Sequence, residues 1–203
     1  MMVREKVVLA SASKIRAQIL KDAGLNVEIS PATIDEDVVK AAIFKEESDM
    51  PSADFAEILA QSKAISVSEN RAGDLVIGAD QILVLDGEIF DKPRSKDEAR
   101  DQLVTLRSKT HKLVTAVAVA RHGGTIWSYS ASAELTMRDF SNTFLGYYLA
   151  EMGEDITSSV GGYKLEGSGV QLFSKIEGDY FTILGLPMLA LLEFLRGEDA
   201  LYV

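Results

Sequence analysis

One stretch constrains this chain more than any other: Val76-Ile77-Gly78-Ala79-Asp80-Gln81-Ile82-Leu83-Val84-Leu85, an apolar run carrying a single acid. A run of this kind reads as a strand buried on both faces. An aspartate inside it is costly unless another group pairs with it or uses it. The run ends on Asp86-Gly87, and Glu88-Ile89-Phe90-Asp91-Lys92-Pro93 follows. Asp-Gly between apolar stretches predicts a two-residue hairpin turn. Pairing Leu85 with Glu88 and extending the ladder sets Gln81 opposite Lys92, which brings Asp80 within side-chain reach of Lys92. A carboxylate and an ammonium held in an apolar setting point to a reaction site rather than to a structural ion pair, because a buried pair adds little net stability.

The rest of the chain supplies elements to carry that strand. Val7 to Ala10 reads as a short buried strand, and Ser11-Ala12-Ser13 as the cap of a helix from Lys14 to Ala23 stopped by Gly24. Val27 to Ser30 reads as a second strand and Pro31 to Glu36 as an acidic loop. Ala53 to Val67 has helical periodicity. Ser95-Lys96-Asp97-Glu98 is a capping box opening a helix to Leu106. Lys112 to Arg121 and Thr125 to Met137 read as strands around Gly123-Gly124. Ser141 caps a helix ending before Gly153, a glycine-rich stretch leads into Val170 to Ile176, and a helix follows from Pro187 to Leu195. This alternation predicts an α/β fold with a mixed sheet. With 203 residues, 47% of them hydrophobic, and no linker or repeat, the expected organisation is one domain over 1–203.

Charge and composition narrow the function. A net charge of −10 argues against nucleic-acid polymers and anionic membranes as partners. No apolar run reaches transmembrane length, and Met1 to Lys6 lacks the features of a signal peptide. The chain has no cysteine, which removes disulfides, thiolate metal sites and a cysteine nucleophile, and fits a cytoplasmic location.

Four further groupings bear chemistry. Ser11, Ser13 and Arg16 stand at a strand-to-helix turn, where backbone N–H groups and a guanidinium can take an anion, although a plain cap with a solvated arginine is the simpler reading. Asp35-Glu36-Asp37 can join Asp80 in holding a hard cation, Mg²⁺ or Mn²⁺, although such a cluster more often decorates a loop or starts a helix. Lys63 lies in the Ala53 to Val67 helix, where a lysine is usually a surface charge unless it links to the other sites. In Gly161-Gly162-Tyr163-Lys164-Leu165-Glu166-Gly167-Ser168-Gly169 the glycines allow close approach to a ligand, and Glu166 can accept hydrogen bonds from a base or join the metal site, or the stretch is simply a flexible turn. If Asp80 and Gln81 both touch substrate, the strand must bulge, and Gly78 is the expected place. His111 finds no matching serine and acid for a hydrolase triad, and His122 reads as a turn residue.

In this order the segments resemble the Maf family of nucleoside triphosphate pyrophosphatases. The matching stretches are Leu9-Ala10-Ser11-Ala12-Ser13 with Arg16, Asp35-Glu36, Leu59-Ala60 with Lys63-Ala64, Ile77-Gly78-Ala79-Asp80, Lys92-Pro93 with Ala99 and Leu103, His111 and Thr115, Glu166-Gly167, and Gly185-Leu186-Pro187. The resemblance implies a mixed, twisted sheet flanked by helices, with two lobes around a central cleft as in inosine-triphosphatase-like folds. It implies divalent-metal hydrolysis of a nucleoside triphosphate to monophosphate and pyrophosphate. Asp80 then looks like the general base or metal-linked acid, with Glu36 as the other metal-linked acid and Lys63 and Lys92 as catalytic partners. Ser11, Ser13 and Arg16 look like the phosphate cradle.

Ile15, Gln81 and Glu166 stand where the family chooses its base. The pair Gln81 and Glu166 resembles the 7-methyl-GTP branch, while an isoleucine at 15 departs from the aromatic residue common there. The family's Ser-x-Ser-Pro-Arg-Arg is here Ser11-Ala12-Ser13-Lys14-Ile15-Arg16, without the proline and the first arginine. The rival readings are a dTTP/UTP or inosine-type pyrophosphatase and a nucleotide-binding regulator of cell division with weak catalysis. A homodimer is the default oligomer.

Overall fold

A computed structural model of the chain describes residues 5–46, 50–71 and 73–202. Met1 to Arg4, part of the segment read above for a signal peptide, lie outside the described residues.

Strand β1 (Val7–Leu9) is followed by helix α1 (Lys14–Asp22), β2 (Glu28–Ile29), α2 (Glu36–Glu46) and α3 (Ser52–Ser68). Next come β3 (Leu75–Leu85), β4 (Glu88–Phe90), α4 (Lys96–Leu106), β5 (Thr110–Arg121) and β6 (Gly124–Met137). The order ends with α5 (Asn142–Met152), three short 3₁₀ turns, β7 (Phe173–Glu177), α6 (Tyr180–Ile183) and α7 (Met188–Gly197). Among the described residues the strands form one sheet in the order β2-β1-β3-β5-β6-β7, with β4 on β3. β1 runs parallel to both β2 and β3, whereas β3–β4 and β6–β7 are antiparallel, so the sheet is mixed as expected.

The described residues fall into two compact units. The first is built from Met1–Asp80, Thr115–Ala131 and Leu184–Val203, the second from Gln81–Val114 and Ser132–Ile183. The division falls inside β3, between Asp80 and Gln81.

In the first unit the parallel pairs Val8↔Val76 and Leu9↔Ile77 tie β1 to β3. Parallel neighbours need long crossovers, and α1 and the α2–α3 pair are those crossovers. Ser13 caps α1 by accepting from the Arg16 N–H, and Gly24 takes φ +80° just past its end. Helix α3 carries Phe55, Ala56, Leu59, Ala60, Ala64 and Val67 on its buried side. Gly78 is where α3 meets β3. A Cβ there would stand 2.2 Å from the Ala60 carbonyl oxygen and 2.6 Å from the Ala64 nitrogen. The glycine therefore serves close helix–strand packing. Between β6 and β7 the register shifts at Thr136/Met137.

In the second unit the hairpin forms as read. Asp86 and Gly87 both take positive φ, 54° and 88°, as a type I′ turn requires, and Leu85 pairs with Glu88. In the first unit the β5–β6 turn uses the same device at His122 and Gly123, so Gly124 already belongs to β6. Ser95 caps α4 by accepting from Glu98 N–H, while the Glu98 carboxylate returns to the Arg94 N–H. Gln102 on α4 donates to the Asp91 carbonyl at 3.0 Å and so anchors the chain just past β4. Helices α2 and α6 and the 3₁₀ turns escape the sequence reading, and β7 starts later than expected, at Phe173.

Candidate active site

Alternation along β3 decides where its polar residues go. Gly78 and Asp80 share a face, and that face meets α3. There the Asp80 Oδ1 accepts from the Lys63 Nζ at 2.5 Å. Lys63 sits on the apolar stripe of α3, seven residues after Ala56 and next to Ala64, and only 9% of it is exposed. The alanines and Gly78 let helix and strand approach closely enough for this reach. The same ammonium contacts Glu36 Oε1, at the start of α2, at 2.8 Å. Asp80 is 7% exposed, whereas the Glu36 side chain is 45% exposed, so one acid is enclosed and the other opens to solvent.

Arg16, one turn into α1, lies beside this group. Its Nε donates to the Gly185 carbonyl at 2.7 Å, and its Nη1 to the Ala79 carbonyl at 2.8 Å and to Ser11 Oγ at 3.3 Å. The guanidinium thus joins the helix start to the residue before Asp80. Burial lowers its pKa from the ordinary arginine value, and the charges of Asp80 and Glu36 oppose that shift. Ser11 Oγ also accepts from Ser13 N–H at 3.2 Å, and Ser13 Oγ from Arg16 N–H at 3.4 Å. Both hydroxyls are used as acceptors, which leaves each O–H to donate to an anion. Ile15, adjacent on α1, is half-buried.

The first unit thus brings together Asp80, Lys63, Glu36, Arg16, Ser11 and Ser13, with Ile15 beside them. Asp35 does not join: its carboxylate accepts from Val38 N–H at 3.2 Å and caps α2. The remaining site residues belong to the second unit. The Gln81 amide donates to the Thr182 and Ile183 carbonyls at 3.1 and 3.0 Å, on the face of β3 opposite Asp80. The β3–β4 ladder runs only from Leu85↔Glu88 to Leu83↔Phe90. Gln81 and Lys92 lie two positions beyond the last pair of that ladder. The partner that the fold gives Asp80 is Lys63. Lys92 is exposed just past β4, and Glu166 is exposed on the turn between the 3₁₀ segments. That turn is tight, for a Cβ on Gly169 would stand 2.4 Å from the Lys164 carbonyl oxygen.

His111 is buried, with Nε2 2.7 Å from the Tyr163 hydroxyl, and its Nδ1 finds no hydrogen-bond partner among the described residues. Burial lowers its pKa to about 4 and pushes that of Tyr163 well above the tyrosine range. The groups missed from sequence are backbone ones. The Ala79, Gly185, Thr182 and Ile183 carbonyls orient Arg16 and Gln81, and only Gly185, with its φ of +94°, carried a signal in its residue type.

Two carboxylates converging on one cation position suit a hard divalent ion. Mg²⁺ is commonly held by one or two carboxylates with phosphate oxygens completing its shell. Among the described residues no group of three or more His, Cys, Asp or Glu forms an all-protein cage, so the fit is to an ion shared with a phosphate ligand.

The sequence pattern of the family described as Maf-like protein matches residues 6–198. The chain belongs to the Maf family. The match covers residues of both units, including each site residue named above. Among curated relatives, a nucleoside triphosphate pyrophosphatase of Caulobacter vibrioides is 52% identical over 197 residues, covering 97% of this chain and 98% of that protein. A nucleoside triphosphate pyrophosphatase of Paramagnetospirillum magneticum is 50% identical, covering 96% and 99%. A 7-methyl-GTP pyrophosphatase of Brucella abortus is 48% identical, covering 97% and 98%. Among the described residues of this Maf protein, no helix is long and apolar enough to cross a membrane.

Proposed function

We propose that the protein is a nucleoside triphosphate pyrophosphatase. It cleaves the α–β phosphoanhydride by water and releases nucleoside monophosphate and pyrophosphate. The observation that carries this reading is the shared contact of Lys63 with Asp80 and Glu36, next to the Ser11–Ser13–Arg16 turn. The printed names of the relatives support the same reaction.

In this reading the α1 turn, with its outward N–H groups and two serine hydroxyls, binds phosphate oxygens, and Arg16 stiffens the turn and adds positive potential. Asp80 accepts the proton of the attacking water. Lys63 and Lys92 offset the charge that builds on the phosphates. A divalent ion, Mg²⁺ or Mn²⁺, held by Asp80 and Glu36 supplies Lewis-acid stabilisation of the phosphoryl oxygens when bound.

For the base, a 7-methylguanine nucleotide fits best. The Gln81 amide, held by the Thr182 and Ile183 carbonyls, stands at the position that the resemblance links to a guanine base. The exposed Glu166 carboxylate suits a cationic methylated purine. Ile15 offers an apolar face to the base in place of an aromatic ring.

We take the whole chain to act as one catalytic domain, in the cytoplasm, and as a homodimer on the commonness of twofold assemblies. A panel of 7-methyl-GTP, GTP, ITP, dTTP and UTP with Mg²⁺ or Mn²⁺, read by pyrophosphate and orthophosphate release, tests the reading. Pyrophosphate as the first product, fastest from 7-methyl-GTP, is expected. Orthophosphate as the first product, or no product, would overturn the reaction, and dTTP hydrolysed as fast as 7-methyl-GTP would overturn the base preference.

A further inference from the structure

The Lys63 ammonium stands where a divalent cation shared by Asp80 and Glu36 would have to stand. Its Nζ lies 2.5 Å from Asp80 Oδ1 and 2.8 Å from Glu36 Oε1. A Mg²⁺ or Mn²⁺ ion binds carboxylate oxygens at about 2.1 Å, so an ion on these two oxygens and the present ammonium occupy overlapping space. Their like charges also repel strongly across a few ångströms in a partly enclosed site. Lys63 is nearly buried and rooted on the rigid stripe of α3, so its head can swing but its stem cannot withdraw far.

We propose that Lys63 is an internal counter-ion that closes the Asp80–Glu36 pair to free metal, and that nucleotide opens it. The triphosphate gives the ammonium a second set of anionic oxygens. Once Lys63 turns to them, the two carboxylates are released to share a cation with the same phosphates. Metal therefore enters with nucleotide or after it and binds the free protein weakly. The inference rests on the proposed reaction only in naming a phosphate ligand; the exclusion of free metal by Lys63 is a property of the unliganded protein.

The test is Mn²⁺ binding to protein without nucleotide, read by titration calorimetry and by the electron paramagnetic resonance signal of free Mn²⁺. Wild type is compared with Lys63→Met, which keeps the length of the side chain and removes the charge. Lys63→Met is expected to bind Mn²⁺ at least about tenfold more tightly than wild type. Mn²⁺ should also raise its unfolding temperature more than that of wild type. Lys63→Gln, neutral but still able to donate to one carboxylate, is the second variant should Lys63→Met not fold, and it should shift in the same direction. Adding Asp80→Asn to either variant should abolish the gain. Mn²⁺ affinity unchanged or lowered in both Lys63 variants would overturn the proposal. These readouts use neither hydrolysis nor nucleotide, so a protein that releases no pyrophosphate but gains Mn²⁺ affinity on loss of Lys63 would contradict the assigned reaction alone.

Discussion

Lys63 and Asp80 stand 17 residues apart in sequence, yet their charged groups meet at 2.5 Å, with about a tenth of each side chain exposed. The pair is asymmetric. Lys63 has a second acid in Glu36, so neutralising Asp80 leaves the ammonium partnered, whereas removing Lys63 leaves two carboxylates facing each other. Lys63→Met should therefore destabilise the protein by about 2–3 kcal/mol, short of the loss for an uncompensated buried charge because the Arg16 guanidinium stays beside Asp80. Asp80→Asn should cost less than half as much. Urea unfolding of both variants at pH 7 checks the order, and equal losses would show that Glu36 does not share the ammonium.

Gly78 makes that contact possible. A methyl group there meets backbone atoms of Ala60 and Ala64, which cannot rotate away as a side chain can. Gly78→Ala should force α3 off β3, lower stability by about 1–3 kcal/mol and carry Lys63 away from Asp80. Activity is then lost by more than the fraction unfolded accounts for. Unfolding and turnover measured on the same sample separate the two effects, and a stable, active Gly78→Ala would show that this close approach is dispensable.

Arg16 acts through geometry as much as through charge. Its fork reaches Gly185, Ala79 and Ser11 at once, which a lysine cannot reproduce. Arg16→Lys should lower stability by about 2 kcal/mol and raise KM for nucleotide more than it lowers kcat. Wild-type steady-state kinetics in Arg16→Lys would reduce the residue to a surface charge.

His111 sets a pH dependence of stability. Its pKa is about 4 in the folded protein against 6.5 ordinarily, because burial penalises its charged form. Below pH 6.5 the unfolded chain takes up a proton that the native state refuses. The stability is fully present above pH 6.5 and is lost as pH falls toward 4, by roughly 3 kcal/mol in all. His111→Gln removes this component. Urea unfolding at pH 7 and pH 5 should show wild type losing about 2 kcal/mol more than the variant over that interval, and parallel losses would place the histidine's titration elsewhere.

The legible parts of the fold were those set by local rules. The Asp86-Gly87 turn, the Ser13, Ser95 and Ser141 caps and the buried run of β3 each follow from neighbouring residues, and each formed. The acid in β3 was visible as an anomaly, but its partner was not. Extending the hairpin ladder points to Lys92, two positions beyond the last pair at Leu83↔Phe90, whereas Lys63 comes from a helix that no ladder reaches. The true signal was a lysine on the apolar stripe of α3, weak until the helix is known to pack on Gly78. Helix α2 was only half legible: its acidic first turn suits a loop or a helix start equally until Asp35 is seen to cap it. The carbonyls that hold Arg16 and Gln81 leave almost no trace in residue types.

The measurement that bears most directly on the central claim is pyrophosphate release from 7-methyl-GTP with Mg²⁺ by wild type and by Asp80→Asn, both verified as folded. The account predicts pyrophosphate and nucleoside monophosphate in equal amounts from wild type and a kcat lower by about a thousandfold in Asp80→Asn. Undiminished release by Asp80→Asn would contradict it.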